Sequence, residues 1–246
     1  MRKVLFLNKK GGVGKTTICF QMSVFFASMG KRVLLVDCDS QGNLSGIFKT
    51  KGSPGLYELM NGISPDPITC RDNLDILPGD IRLSSLEEKL FENEDYSDLG
   101  VFLNVYEDDY DYCFIDTGPS LGALTLNALM AADNLILIVT PQIFTLEGTS
   151  DCVKTIVEMW SNLGGEAKLS AVILNRYDSR PILYRTVKAE LDEHFSDTIL
   201  SSSLGQSVKY EESIQRGIGI ADMDEESKQK EEILILGKEL LSCLDS

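Results

Sequence analysis

The apolar run Val4-Leu-Phe-Leu7 passes through Asn8 straight into Lys9-Lys-Gly-Gly-Val-Gly-Lys-Thr-Thr17, and helical spacing begins at Lys15. Few backbones accommodate that order. A buried strand must end, the chain must turn through glycines free to take left-handed backbone, and a helix must start with its N-terminus facing the turn. Such a loop aims backbone N–H groups inward, and the helix end adds partial positive charge, so it suits phosphate oxygens. Lys15 would then reach the β/γ-phosphates and the Thr16 hydroxyl would ligate Mg²⁺. The pattern predicts a nucleoside triphosphate site lined by Gly11, Gly12, Val13, Gly14, Lys15, Thr16 and Thr17.

The rest of the chain repeats the strand-then-helix alternation. Ile18, Met22, Phe25 and Phe26 share one face of a helix that Gly30 stops. Buried strands are expected at Arg32–Asp37, Leu74–Leu77, Asp111–Asp116, Asn134–Thr140 and Leu169–Asn175, with a short one near 197–200. Helices are expected at 121–132, 145–163, about 181–194 and about 224–244. Apolar strands alternating with helices imply a mostly parallel, twisted sheet with helices on both faces, an α/β fold of the P-loop NTPase kind. No repeat or Pro/Gly/Ser-rich linker divides the 246 residues, so residues 1–246 are expected to form one domain with its last helix packed on it. Ligands of such sheets bind beyond the carboxyl ends of the strands.

Composition removes other classes. With 43% hydrophobic and 25% charged residues the chain can build a substantial core, and disorder is excluded. Apolar runs are strand-sized, short of the ~20 residues a membrane-spanning helix needs, and the N-terminus lacks the apolar segment of a signal peptide. A cytoplasmic protein is expected. Cys19, Cys38, Cys70, Cys113, Cys152 and Cys243 are scattered, with no Cys-x-x-Cys pair, and His194 is the only histidine. Neither a structural zinc nor a His-dependent triad is expected; Cys19, Cys38, Cys113 and Cys152 read as buried thiols. The net charge is −15, and Leu86 to Tyr112 holds ten acids and one lysine. That stretch reads as a solvated helical face with an acidic loop, or as a docking surface for a basic partner segment. It repels phosphate backbones, so a nucleic acid must use another face.

The residue five before Gly14 is Lys9, not the usual glycine, and Lys10 precedes the double glycine. Lys10-Gly-Gly-Val-Gly-Lys-Thr-Thr17 resembles the deviant Walker A motif of the ParA/MinD/Soj family, and the resemblance extends over about residues 3–244. It implies that Lys10 reaches across a homodimer to the other subunit's nucleotide, where a cation stabilises charge in the transition state. Asp37-Cys-Asp-Ser-Gln-Gly-Asn43 is similar to the family's first switch, with Ser40 in place of proline. Asp39 would orient the attacking water and Asp37 would support the hydration shell of the metal. Asp116, closing an apolar strand, reads as Walker B, contacting Mg²⁺ through water. Thr117-Gly-Pro-Ser-Leu-Gly122 follows as a second switch, with Gly118 replacing proline and expected to loosen it. Pro141-Gln142 and Leu146-Glu-Gly148 match a region near the switch and dimer surface. Asn175, in Asn175-Arg-Tyr-Asp178, is the candidate contact to the adenine base. Residues 203–207 stand where the family has a base-flanking proline and an arginine, both absent here.

The resemblance further implies slow, partner-stimulated, Mg²⁺-dependent hydrolysis of ATP that partitions or positions DNA or another cargo. The implied partners are a second copy of the chain and a ParB-like or adaptor protein with a basic segment. Arg180, Arg185, Lys188, Lys209 and Arg216 fall where ParA-like proteins collect basic residues, implying weak, sequence-independent DNA binding and association with the nucleoid. MinD-like members hold membrane with a basic C-terminal helix, but residues 231–246 have one lysine among four acids, so no membrane contact is expected. Other readings are a nucleotide-gated adaptor, a P-loop kinase or ligase of small metabolites, and a dinucleotide-binding enzyme. The last is disfavoured because the register lacks its third glycine.

Overall fold

The computed structural model describes residues 1–93, 96, 98–140, 167–177, 189 and 197–245. The strands are β1 (Arg2–Leu7), β2 (Val33–Cys38), β3 (Ile68–Arg71), β4 (Leu74–Leu77), β5 (Tyr112–Thr117), β6 (Asn134–Val139), β7 (Lys168–Tyr177) and β8 (Ile199–Gly205). They form one sheet in the order β3-β4-β2-β5-β1-β6-β7-β8. Every pairing is parallel except the β3–β4 edge.

Parity along each strand explains why these segments are continuously apolar. Leu5, Leu7, Leu34, Val36, Cys113 and Ile115 join a core on one face, while Val4, Phe6, Val33, Leu35, Tyr112 and Phe114 join a core on the other. Neither face meets water, so both parities must be hydrophobic. The first core is covered by α3 (Leu56–Met60), α4 (Arg82–Asn93), α5 (Asp98–Leu103) and α6 (Ala123–Ala131). The second is covered by α1 (Lys15–Ser28), α2 (Asn43–Ile47), α7 (Lys209–Arg216) and α8 (Lys228–Asp245). Aromatic side chains concentrate there, with Phe26 edge-on to both Tyr112 and Phe114 at 5.0 Å between ring centroids.

The expected strands are present, and β8 runs on to Gly205. The terminal helix begins at Lys228 and buries Ile233, Leu236, Leu240 and Leu244 against the second core, as its apolar spacing predicts. The edge strand β3 and the short helices α2, α3, α5 and α7 were not foreseen, being too short to carry a readable period. Helices expected at 145–163 and 181–194, with His194 and Cys152, lie outside the described residues. Cys19, Cys38 and Cys113 are buried, and burial raises all three thiol pKa values. In α4 the buried residues are Leu83, Leu86 and Leu90, leaving Glu88 and Glu92 in solvent. The acidic loop that follows is partly structural: Asp111 pairs with Arg32 at 2.9 Å, and the Tyr110 hydroxyl donates to Asp75. Among the described residues no helix is long and apolar enough to cross a membrane.

Candidate nucleotide site

Four strand ends meet at one side of the sheet. The loop after β1 takes left-handed backbone at Gly12 (φ +73°) and Gly14 (φ +96°), which turns it over the start of α1. At Gly14 a side chain would also collide with the Asn175 amide from the end of β7. Asn8 secures the loop from below. Its amide donates to the Ile138 carbonyl at 2.5 Å, and its side-chain oxygen accepts the Lys10 N–H at 2.7 Å. Lys15 is almost entirely buried, and its ammonium donates to the carbonyls of Asn8 (3.1 Å) and Lys10 (3.5 Å). Burial lowers its pKa, against the opposing pull of Asp116 and Asp39. Lys10 is half-buried, and its ammonium has no partner among the described residues.

The carboxylates occupy three different environments. Asp37 and Asp116 are register partners on β2 and β5, so both project to the α1 side of the sheet. Asp37 is fully buried and accepts the Ser45 N–H (2.8 Å), the Ser45 hydroxyl (2.6 Å) and the Asp39 N–H (3.1 Å). Desolvation still raises its pKa, to about 6. Its bonds organise the first switch. Asp39 reaches the cleft, steadied by the Gln41 N–H at 3.0 Å, and Gly118 packs close enough that a Cβ there would lie 3.3 Å from its carboxylate.

Asp116 is the outlier. It is fully buried, and neither carboxylate oxygen has a well-formed hydrogen bond among the described residues. Desolvation, with Asp37 adding repulsion, raises its pKa to about 8, while Thr16 and Lys15 pull the other way. Two orphaned anionic oxygens beside a hydroxyl are a donor set suited to a hydrated divalent cation. Among the described residues no three Asp, Glu, His or Cys side chains converge on a metal position. Mg²⁺ therefore fits only with triphosphate oxygens and water completing its shell around Thr16 and Asp116.

A cleft of about 440 Å³ joins these parts, lined by residues 11–17, Asp39, Gln41, Asn43, Ile47, Thr117, Pro119, Arg176 and Ile214. Several of these were not anticipated: Ile47 and Ile214 sit on short helices, and Arg176 stood beside the more legible Asn175. Asn175, the candidate base contact, stands behind the loop. It is buried, its amide donates to the Val13 carbonyl at 2.7 Å, and its oxygen accepts the Arg176 N–H, so it braces the loop and does not line the cleft.

Of the candidate DNA contacts, Arg180, Arg185 and Lys188 lie outside the described residues, as do Pro141-Gln142 and Leu146–Gly148. Lys209 and Arg216 are the first and last residues of α7. Lys209 is tied to Glu225 at 2.7 Å, whereas Arg216 is exposed, with Glu211 and Glu212 on the same helix.

A family model described as AAA domain matches residues 1–169. The sporulation initiation inhibitor protein Soj of Bacillus subtilis is 33% identical over 249 residues, covering 98% of each chain. The chromosome partitioning protein ParA of Caulobacter vibrioides is 32% identical over 252 residues, covering 98% of this chain and 94% of its own. Among solved structures, apo McdA of Cyanothece superposes with a TM-score of 0.87 at 22% identity, covering 99% of both chains, and so shares the fold. With a family model over more than half of its length and relatives above 30% identity over nearly all of it, this chain belongs to the ParA/Soj family of P-loop ATPases.

Proposed function

We propose that the protein is an ATP-driven positioning switch: it binds Mg·ATP, closes as a homodimer, hydrolyses ATP to ADP and phosphate, and reopens. The observation that carries this reading is the pairing of a Lys10 ammonium that has no partner among the described residues with a buried one at Lys15 on the same glycine loop. Lys15 is anchored over its own loop and serves the nucleotide bound there. Lys10 is held at its backbone by Asn8 while its side chain stays available, which suits a contact to a second subunit's γ-phosphate. Thr16 and Asp116 would hold Mg²⁺, which supplies neutralisation of charge on the β/γ-oxygens. Asp39 orients and deprotonates the attacking water, and the Asp37–Ser45 bonds keep Asp39 at the cleft.

DNA or another cargo would be held by the ATP dimer, with a ParB-like or adaptor partner accelerating release. The described basic residues near α7 are largely balanced by acids, so any DNA affinity is weak and depends on two copies of the patch. ATP turnover measured without any added metabolite tests the proposal. The wild type should turn over slowly, with Lys10→Ala and Asp39→Ala each reducing the rate at least tenfold. Turnover that requires a small-molecule acceptor would point to a kinase or ligase instead.

A further inference from the structure

The turn that presents Asp39 has little in its own sequence to stiffen it. Ser40 has no ring to fix its backbone, and Gly42 takes the left-handed conformation (φ +57°) from which α2 starts. Two bonds close the turn on itself, from the Gln41 N–H to the Asp39 carboxylate (3.0 Å) and from the Gly42 N–H to the Asp39 carbonyl (2.8 Å). A further contact comes from outside. The Lys51 ammonium donates to the Gln41 carbonyl at 2.6 Å. Its stem lies across both glycines of the following helical turn: a Cβ at Gly42 would meet Lys51 Cε at 3.1 Å, and one at Gly46 would meet it at 3.2 Å.

The loop that carries Lys51 does not need this bond for its own placement. It is held at buried Thr50, whose N–H and hydroxyl both donate to the Ser45 carbonyl (3.0 and 3.2 Å), and the Ser53 N–H donates back to the Thr50 carbonyl at 3.2 Å. Lys51 is exposed and does not line the nucleotide cleft, whereas Gln41 does. Gln41 is therefore fixed at both ends, its N–H on Asp39 and its carbonyl on a lysine anchored in a separate loop. We propose that Lys51 is a positioning residue for Asp39, a strap that holds Gln41 and, through the Gln41 N–H, keeps the carboxylate aimed at the attacking water. This rests on the function proposed above, in which Asp39 handles that water. Misplacing such a group costs rate rather than binding, because the geometry of attack is set by it while the phosphates are held elsewhere.

Lys51→Met keeps a stem over Gly42 and Gly46 and removes the donor, at an exposed position where folding is not at issue. Amide hydrogen exchange of the nucleotide-free protein and steady-state ATP turnover read the two consequences. The Gln41 and Gly42 amides should exchange roughly three- to tenfold faster than in wild type, as the loss of one net hydrogen bond implies, with the Thr50 amide unchanged. The kcat for ATP should fall by a comparable factor while KM stays the same. Unaltered exchange at Gln41 and Gly42 overturns the strap whatever turnover does. Faster exchange with unaltered kcat overturns the positioning role, and so does a change confined to KM, which would make Lys51 a binding residue. Asp39→Ala is the control for the underlying reading: if it turns over ATP as fast as wild type, the role given to Asp39 fails, while the exchange result for Lys51 still stands or falls by itself.

Discussion

Asp116 sits between two requirements, since a cation needs it ionised while its fully buried position disfavours charge. Its folded-state pKa of about 8 lies above the ordinary value of 3.8, so the folded protein binds this proton more tightly than the unfolded chain. Stability therefore falls as pH rises from about 4, and the full cost is present above about pH 8. Asp116→Asn removes that cost. In urea unfolding without nucleotide it should be more stable than wild type, by a margin that widens from pH 5 to pH 8, and Mg·ATP should no longer stabilise it. A margin independent of pH would show that Asp116 is ionised throughout. At this scale the cleft lining was legible where residues 11–17 and Asp39 stand at fixed offsets from strand ends. That the Asn175 amide is satisfied by the Val13 carbonyl was not legible, because sequence cannot tell an amide that faces a ligand from one bonded to the backbone. Arg176 was missed because its exposure depends on a bulge between β7 and β8, which is a property of the pairing.

Among the elements, α8 illustrates how packing overrides propensity. Gly237 lies in its interior, where alanine would favour the helix by about 1 kcal/mol. It faces the Phe25 ring of α1, and a Cβ there would overlap the ring carbons. A rigid buried ring cannot step aside cheaply, and overpacking of this kind costs roughly 1–3 kcal/mol. Gly237→Ala should therefore destabilise by about 1 kcal/mol, read as a lower urea midpoint at unchanged slope. A stabilised variant would mean that α8 is loosely seated. The apolar spacing of residues 228–245 did announce a packed helix. It could not announce this close approach, nor the edge strand β3, whose alternate residues are only half-buried.

For the molecule as a whole, the continuous cores on both faces of one sheet support residues 1–246 behaving as a single cooperative unit. Thermal unfolding should show one transition, with calorimetric and van't Hoff enthalpies in agreement. Two separated transitions would divide the chain. The net charge of −15 sets the other global expectation. DNA binding, where present, should need ATP and should be lost between about 50 and 200 mM salt because its affinity is low to begin with; binding that persists with ADP alone at the higher salt would require a basic surface other than the one at α7. On the function proposed above, each protomer lends Lys10 to its neighbour's nucleotide, and light scattering of Asp39→Ala saturated with Mg·ATP reads this as mass. Twice the mass of one chain is the predicted result, reverting to a single chain when Lys10→Ala is added. A single chain for Asp39→Ala across the micromolar range, with ATP bound, would contradict the account.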